Sequence, residues 1–295
     1  MTSKHPFEGT GVAMVTPFKE NGDVDYQALK RHTNYLIDKR VDYLVVLGTT
    51  AETPALSHQE KLNVIGVVKH EAAGRVPLVI GAGGNNTSDV IRWMEEVGSD
   101  GIDAYLSVVP YYNKPSQTGM ISHFSAIAAT TDVPLVLYNV PGRTGSNMQA
   151  DTTITLAREL GDQLIGIKEA SGDLTQITHI IREKPESFLV ISGDDAMTLP
   201  LIALGASGVI SVIGNALPDI FTKMVASALR GDFDEARTLH YRLLPLFKAI
   251  FKEGNPAGVK ALMAEQDMGV NALRLPLIPA SKDLQEEIGQ LFRAL

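Results

Sequence analysis

The 295-residue sequence contains no cysteine. Disulfides and thiolate zinc sites are therefore excluded, which fits a reducing compartment. There is no apolar run of 18 residues, and the start "MTSKHPFEGTG" has no apolar signal core. From these we expect neither membrane spanning nor secretion, and place the chain in the cytoplasm. A surplus of basic residues is also missing: 26 Lys and Arg stand against 34 Asp and Glu, a formal net charge of -8. No basic stretch interleaves with aromatics, which argues against nucleic acid as a partner and leaves small molecules as the expected ligands. The seven histidines show no metal-ligand spacing such as HExxH, so no metal is expected. "GAGGNN" at 81–86 lacks the third glycine of a dinucleotide loop.

What the sequence does have is a set of short, β-branched apolar runs. They are "GVAMVTPF", "YLVVLGTT", "PLVIGAGG", "AYLSVVP", "PLVLYNVP", "LIGIKEA", "FLVISGDD" and "GVISVIGN", beginning 20 to 34 residues apart from near 12 to near 208. Helix-like patterns such as "QALKRHTNYLIDK" and "SDVIRWMEEVG" fill the intervals. Continuous rather than alternating apolarity suits parallel strands covered on both faces. Eight strand-helix units predict an α/β fold, the (β/α)8 or TIM barrel, over residues 1–217. After "GNALPDI" the strand signal stops, and residues 218–295 read as a C-terminal helical extension. Within it Ala236, Leu239, Leu243, Phe247 and Ile250 recur at helical spacing, and Pro245 is expected to kink or divide that helix.

In such a barrel the chemistry lies at the C-terminal ends of the strands. Strand two ends in Thr49, Thr50 and Glu52; strand four is followed by Tyr111 and Tyr112; strand five ends at Tyr138 and Asn139, with Arg143 beyond; strand six ends at Lys168 and Glu169. Taken singly, paired threonines cap helices, tyrosines near prolines pack, and loop arginines are solvated. Lys168 closing a buried run is harder to dismiss, because an isolated buried ammonium group loses its charge or finds a partner. Flanking Ile165 and Ile167 would favour the uncharged amine, which attacks a ketone to form an imine. Proton loss beside that imine gives an enamine, a carbon nucleophile toward aldehydes. A chain of hydroxyls from Thr49, Tyr112 and Tyr138 would shuttle the protons, and Arg143 would hold a carboxylate bidentately.

"GTTAE" at 48–52, "PYYNKPSQ" at 110–117, "YNVPGRTG" at 138–145, "GIKEASG" at 166–172 and "SGDD" at 192–195, in this order, resemble the 4-hydroxy-tetrahydrodipicolinate synthase family over nearly the whole chain. The resemblance implies condensation of pyruvate with L-aspartate 4-semialdehyde, on the route to diaminopimelate and lysine. It implies Lys168 as the imine-forming residue, with no separate cofactor, and Thr49, Tyr112 and Tyr138 as the relay. By the same likeness Thr50 contacts the pyruvate carboxylate and Arg143 receives the semialdehyde carboxylate. Gly193 and Ile210 would line the pocket through backbone groups. The family lends the tyrosine matching Tyr112 from a neighbouring subunit, which implies a dimer within a homotetramer, a dimer of dimers. The rival readings are a sister pyruvate-dependent aldolase, such as an N-acetylneuraminate or keto-sugar-acid lyase, and a non-catalytic keto-acid-binding paralogue. Arg143 and the Tyr112 motif argue against the first, and the intact lysine and relay hydroxyls against the second. One position departs within a motif: Ala51 stands where the family has glycine. If that residue needs positive φ, alanine would cost on the order of 1 to 2 kcal/mol.

Many family members bind lysine as an inhibitor at the dimer interface. His58, Asn85 and Tyr111 agree with that allosteric pattern, whereas Asp89 replaces a glutamate, Pro54 a small residue, and Lys61 a histidine near the inhibitor's ammonium end. Two unit charges about 4 Å apart at an effective dielectric near 20 interact by roughly 4 kcal/mol. A third of that is about tenfold in affinity. We expect weak or no inhibition by L-lysine and stronger inhibition in Lys61→His; half-inhibition of the unmodified protein at sub-millimolar lysine would contradict this.

Overall fold

The computed structural model describes residues 5–295. Eight strands, β1 (Gly9–Ala13), β2 (Tyr43–Val46), β3 (Leu78–Gly81), β4 (Ala104–Val108), β5 (Leu135–Asn139), β6 (Leu164–Glu169), β7 (Leu189–Ser192) and β8 (Gly208–Ser211), pair in chain order. All are parallel, and β8 pairs back with β1 to close a barrel. Each predicted apolar run supplies one strand, although the first strand ends at Ala13, before the predicted "VTPF". Between the strands run α1 (Tyr26–Asp38), α2 (His58–Ala72), α3 (Thr87–Val97), α4 (Gln117–Ala128), the single turn α5 (Pro141–Thr144), α6 (Ala150–Leu160), α7 (Leu174–Glu183) and α8 (Thr198–Ala203). Caps set several of their starts. Asp25 accepts from the amides of Gln27 and Ala28 at the head of α1, and Ser57 with Glu60 forms a reciprocal capping box on α2.

Strand alternation sorts the apolar residues into two layers. One set, including Leu44, Ile80, Leu137, Ile167 and Val190, packs between barrel and helices. The other, including Tyr43, Val45, Val79, Val136 and Ile191, fills the barrel interior. At the N-terminal mouth Phe7 meets the Tyr43 ring edge-on, with centroids 5.4 Å apart. That ring fits because residue 11 is glycine: a Cβ there would lie 2.1 Å from it. With this end plugged, only the C-terminal mouth is left for a ligand.

The chain continues through α9 (Pro218–Leu229), α10 (Phe233–Phe251), α11 (Ala257–Ala264) and α12 (Lys282–Arg293). Val209, Val212, Phe221, Leu243, Phe247, Ile250, Val259, Leu262 and Ile288 share one apolar cluster, which joins the β8 end to all four helices. Pro245 does not divide α10, which runs 19 residues through it. Pro245 removes the hydrogen bond that Tyr241 would have accepted. Both residues are exposed, which leaves that carbonyl on the solvent side, while Leu243, Leu246 and Phe247 anchor the helix on its buried side. Among the described residues no helix is long and apolar enough to cross a membrane.

A buried polar knot joins the ends of β1 and β8. Asn215 Oδ1 accepts from the Val15 amide at 3.1 Å, and its amide donates to the carbonyls of Ala13 and Val212 at 2.8 and 3.0 Å. His32 Nε2 lies 3.0 Å from the same Oδ1. Since that oxygen only accepts, the imidazole donates through Nε2–H, and Nδ1 is left without a partner. Burial holds His32 down at about 4 from its ordinary 6.5, the hydrogen bond to Asn215 opposing in part. Between these values the unfolded chain binds the proton and the folded one does not. The contribution of neutral His32 is therefore full above 6.5 and is lost as pH falls toward 4, by about 3 kcal/mol. Burial also lowers His123 to about 4 and raises Asp195 to about 6, so the useful quantity is a difference between variants. Urea titrations of wild type and His32→Gln should show the stability difference shifting in favour of the variant between pH 7 and pH 4.5. A pH-independent difference would refute the assignment.

Candidate active site

A cleft of about 340 Å³ opens at the C-terminal ends of β2 to β5. Its polar lining includes Thr49, Tyr111, Tyr138 and Arg143, and its apolar wall includes Leu47, Leu106, Val108 and Val140. Thr49 reaches it through a sharply turned segment. Leu47 takes φ +58°, residues Thr49–Ala51 form a 3-10 turn, and Glu52 takes φ +55°. The Leu47 carbonyl presses against Gly81, where a Cβ would sit 2.0 Å from it. Thr53 Oγ1 donates to the Gly48 carbonyl at 2.9 Å, and Thr16 Oγ1 to the Ala51 carbonyl at 2.8 Å. Ala51 is not among the residues with positive φ; Leu47 and Glu52 carry the left-handed geometry instead. The alanine is thus free of the expected strain.

Lys168 and Tyr138 are register partners on neighbouring strands. Both are buried, Lys168 at 5% exposure, and the Lys168 ammonium lies 4.3 Å from the centre of the Tyr138 ring. Among the described residues no carboxylate lies within ion-pair distance of it. Ile167 does not shield the amine as expected: alternation turns it outward into the barrel-helix core. Space beside the lysine comes from Gly193, where a Cβ would lie 3.1 Å from Lys168 Cε and 2.7 Å from Ala170 Cβ. Ile210 is buried inside the barrel, and neither it nor Gly193 belongs to the cleft wall.

Glu169, next along β6, serves the loops. Its carboxylate accepts from Asn139 Nδ2 and Gln176 Nε2, both at 2.8 Å, and from the Ser171 amide at 2.9 Å. Asn139 Oδ1 in turn accepts from the Met148 amide at 3.0 Å. This network ties both ends of the 139–148 loop that carries Arg143. Thr50 faces away from the cleft opening: buried, it accepts from Asn255 Nδ2 at 2.9 Å. Tyr112 does not join the cleft. It has φ +75° and is 88% exposed, whereas its neighbour Tyr111 lines the wall.

The remaining candidates gather beside the cleft. Lys61, Asp89 and Trp93 line an adjoining cavity of about 190 Å³ that shares Thr53, Gly81 and Gly83 with it. His58 Nε2 lies 2.7 Å from Glu96 Oε1, with its ring edge-on to Trp93. Asp89 pairs with Arg92, and Asn85 donates to the Tyr111 carbonyl at 3.4 Å. Among the described residues no group of His, Asp or Glu is arranged to hold a metal ion.

Sequence reasoning missed the C-terminal contribution. Asn255 grips Thr50, Lys260 grips Glu52 at 2.5 Å, and the Arg274 amide also donates to Glu52 at 3.0 Å. The available signal was Lys260 itself, a cation inside the apolar run "AGVKALM".

What this arrangement offers chemically is a phenol and a hydroxyl on the cleft wall, a guanidinium at its mouth, and, behind the phenol ring and outside the lining itself, an amine without a counter-ion. That set suits attack on a carbonyl carbon, followed by proton transfers, on an anionic substrate.

Residues 6–295 match the Dihydrodipicolinate synthetase family. The chain is 53% identical over 288 residues to a 4-hydroxy-tetrahydrodipicolinate synthase from Parabacteroides distasonis, covering 98% of this chain and 97% of the relative. It is 45% identical to the enzyme of that name from Bacillus subtilis, over 94% and 95% of the two chains. Among solved structures, dihydrodipicolinate synthase from Thermotoga maritima superposes with a TM-score of 0.96 at 37% identity, covering 98% of this chain and 99% of that one.

The geometry makes Lys168 costly rather than stabilising, since burial of its polar terminus is offset only by one aromatic face. Replacing it with an apolar residue of similar shape leaves no carboxylate orphaned. Lys168→Met should therefore unfold at a urea concentration equal to or above that of wild type. A loss of more than about 1 kcal/mol would mark the lysine as a structural strut.

Proposed function

This chain belongs to the Dihydrodipicolinate synthetase family and is a synthase, and from that premise we propose that it condenses pyruvate with L-aspartate 4-semialdehyde to give 4-hydroxy-tetrahydrodipicolinate. The observation that carries the proposal is the Lys168 Nζ, buried without a carboxylate partner and set 4.3 Å from the Tyr138 ring centre. The Lys168 amine adds to the pyruvate ketone, and loss of water leaves a protonated imine. That cation draws electrons from the methyl carbon, which gives up a proton and becomes an enamine carbon. The enamine attacks the aldehyde, forming the new carbon-carbon bond and an alkoxide that takes up a proton. The semialdehyde's own amine then displaces Lys168 from the imine carbon, closing the ring and restoring the free lysine. No metal or separate cofactor enters this route.

In this reading Tyr138 and Thr49 pass protons between the reacting atoms and solvent, and Arg143 takes the semialdehyde carboxylate as a two-pronged donor. Thr50 contributes to the pyruvate carboxylate site, and Gly193 and Ile210 contribute through backbone groups. Gly193 also leaves the room that the Lys168 side chain occupies. Tyr112 completes the relay from a neighbouring subunit; its 88% exposure within one chain leaves it free to reach across. The working assembly is then a homotetramer, a dimer of dimers, acting in the cytoplasm. His58, Lys61, Asn85, Asp89 and Tyr111 belong to the same proposal as the positions of a lysine site that Lys61 weakens or abolishes.

Borohydride reduction in the presence of pyruvate, followed by peptide mass spectrometry, tests the chemistry. The reduced adduct should appear on Lys168 alone. Lys260, the other lysine buried among the described residues, is held by Glu52 at 2.5 Å and should stay unlabelled. Adduct on another lysine, or on none, would rule out the covalent route through Lys168.

A further inference from the structure

The turn after β2 is held in place from the far end of the chain. Glu52 and Lys260, 208 residues apart, form an ion pair of 2.5 Å with side chains 1% and 4% exposed. Both carboxylate oxygens are used, Oε1 by Lys260 and Oε2 by the Arg274 amide at 3.0 Å. Lys260 Nζ also donates to the Ala272 carbonyl at 2.9 Å and lies 4.3 Å from the centre of the Phe18 ring. The Arg274 guanidinium covers the same ring at 4.6 Å and donates to the Ala55 carbonyl and to both oxygens of Glu60. The gripped segment needs such support. Leu47 and Glu52, neither a glycine, are both left-handed, a state that persists only when the surroundings enforce it. Between them, Thr49 faces the cleft.

We infer that Lys260 is a positioning residue: paired with Glu52, it holds the 47–52 turn so that Thr49 stands where the reaction uses it. The inference rests on the proposed function for the use made of Thr49, but not for the pairing. It gives the C-terminal extension a part in the active site although no residue of the extension lines the cleft. Small displacements of a proton-relay hydroxyl lower turnover steeply, with about 1 Å costing as much as about a hundredfold.

The test uses full-length protein carrying both Glu52→Gln and Lys260→Met. Removing Lys260 alone would strand a buried carboxylate and risk unfolding, whereas the double variant is neutral and close in shape. Amide hydrogen exchange should quicken at least tenfold in residues 47–53 while staying at wild-type rates in β5 to β7. Turnover per borohydride-trappable pyruvate site should fall at least tenfold, with the pyruvate KM changed by less than about threefold. Counting trappable sites removes any loss that comes merely from unfolded protein. Unchanged exchange in the turn would overturn the inference, as would faster exchange with unaltered turnover per site. A double variant that fails to fold, or that loosens throughout the barrel, would make the pair a staple of the fold and overturn it equally. Absence of any trapped adduct in wild type would instead refute the proposed chemistry, and the exchange measurement would still decide whether the pair holds the turn.

Discussion

The structure depends most on the two-residue alternation of side chains along β6, locked by hydrogen bonding to β5 and β7 on either side. With that register in place, Ile167 joins the core between barrel and helices, and Lys168 is turned against the ring of Tyr138. Glu169 then meets Asn139, Gln176 and the Ser171 amide. A slip of one residue would exchange these surroundings. An ammonium group would lie among isoleucines and leucines, and the loop carrying Arg143 would lose the carboxylate that anchors both its ends. Closure of β8 onto β1 leaves no edge at which such a slip could be absorbed.

Two buried lysines show how differently one side chain can be treated. Lys260 has a carboxylate at 2.5 Å, a carbonyl at 2.9 Å and an aromatic face. Desolvation nevertheless brings it down to about 8, with Glu52 opposing. Lys168 has the aromatic face without the carboxylate. Full partnering suits a group that must stay in place, and it also blocks the nitrogen as a nucleophile. In the proposed reaction the Lys168 amine must keep its lone pair accessible, and the missing ion pair is consistent with that.

The loops at the open mouth are held chiefly by buried polar side chains bonded to backbone. Asn215 joins β1 to β8, Asp195 accepts from the amides of Val212 and Ile213, and Glu169 spans the loops after β5 and β6. Such groups cost free energy when unpaired and rigidify when satisfied. They account for a mouth in which Thr49, from the turn after β2, meets Tyr138 and Arg143, from β5 and the loop that follows it.

The sequence by itself determined the barrel, because each strand and helix carries its own period: β-branched runs at 44, 78, 104 and 135, for instance, needed no knowledge of their neighbours. It also determined the polar residues at the strand ends, since the end of an apolar run marks the end of a strand, and Lys168 stood out there as a cation after Ile167. Tertiary structure alone decided which face each residue takes and which charges meet. The burial of Glu52 against Lys260, the grip of Asn255 on Thr50 and the absence of strain at Ala51 all rest on chain folding that brings residues more than 200 positions apart into contact, or on a turn whose φ angles depend on those contacts. Periodicity is a local property and survives in one dimension; electrostatic pairing is set by distance in space, which the order of residues along a chain does not contain.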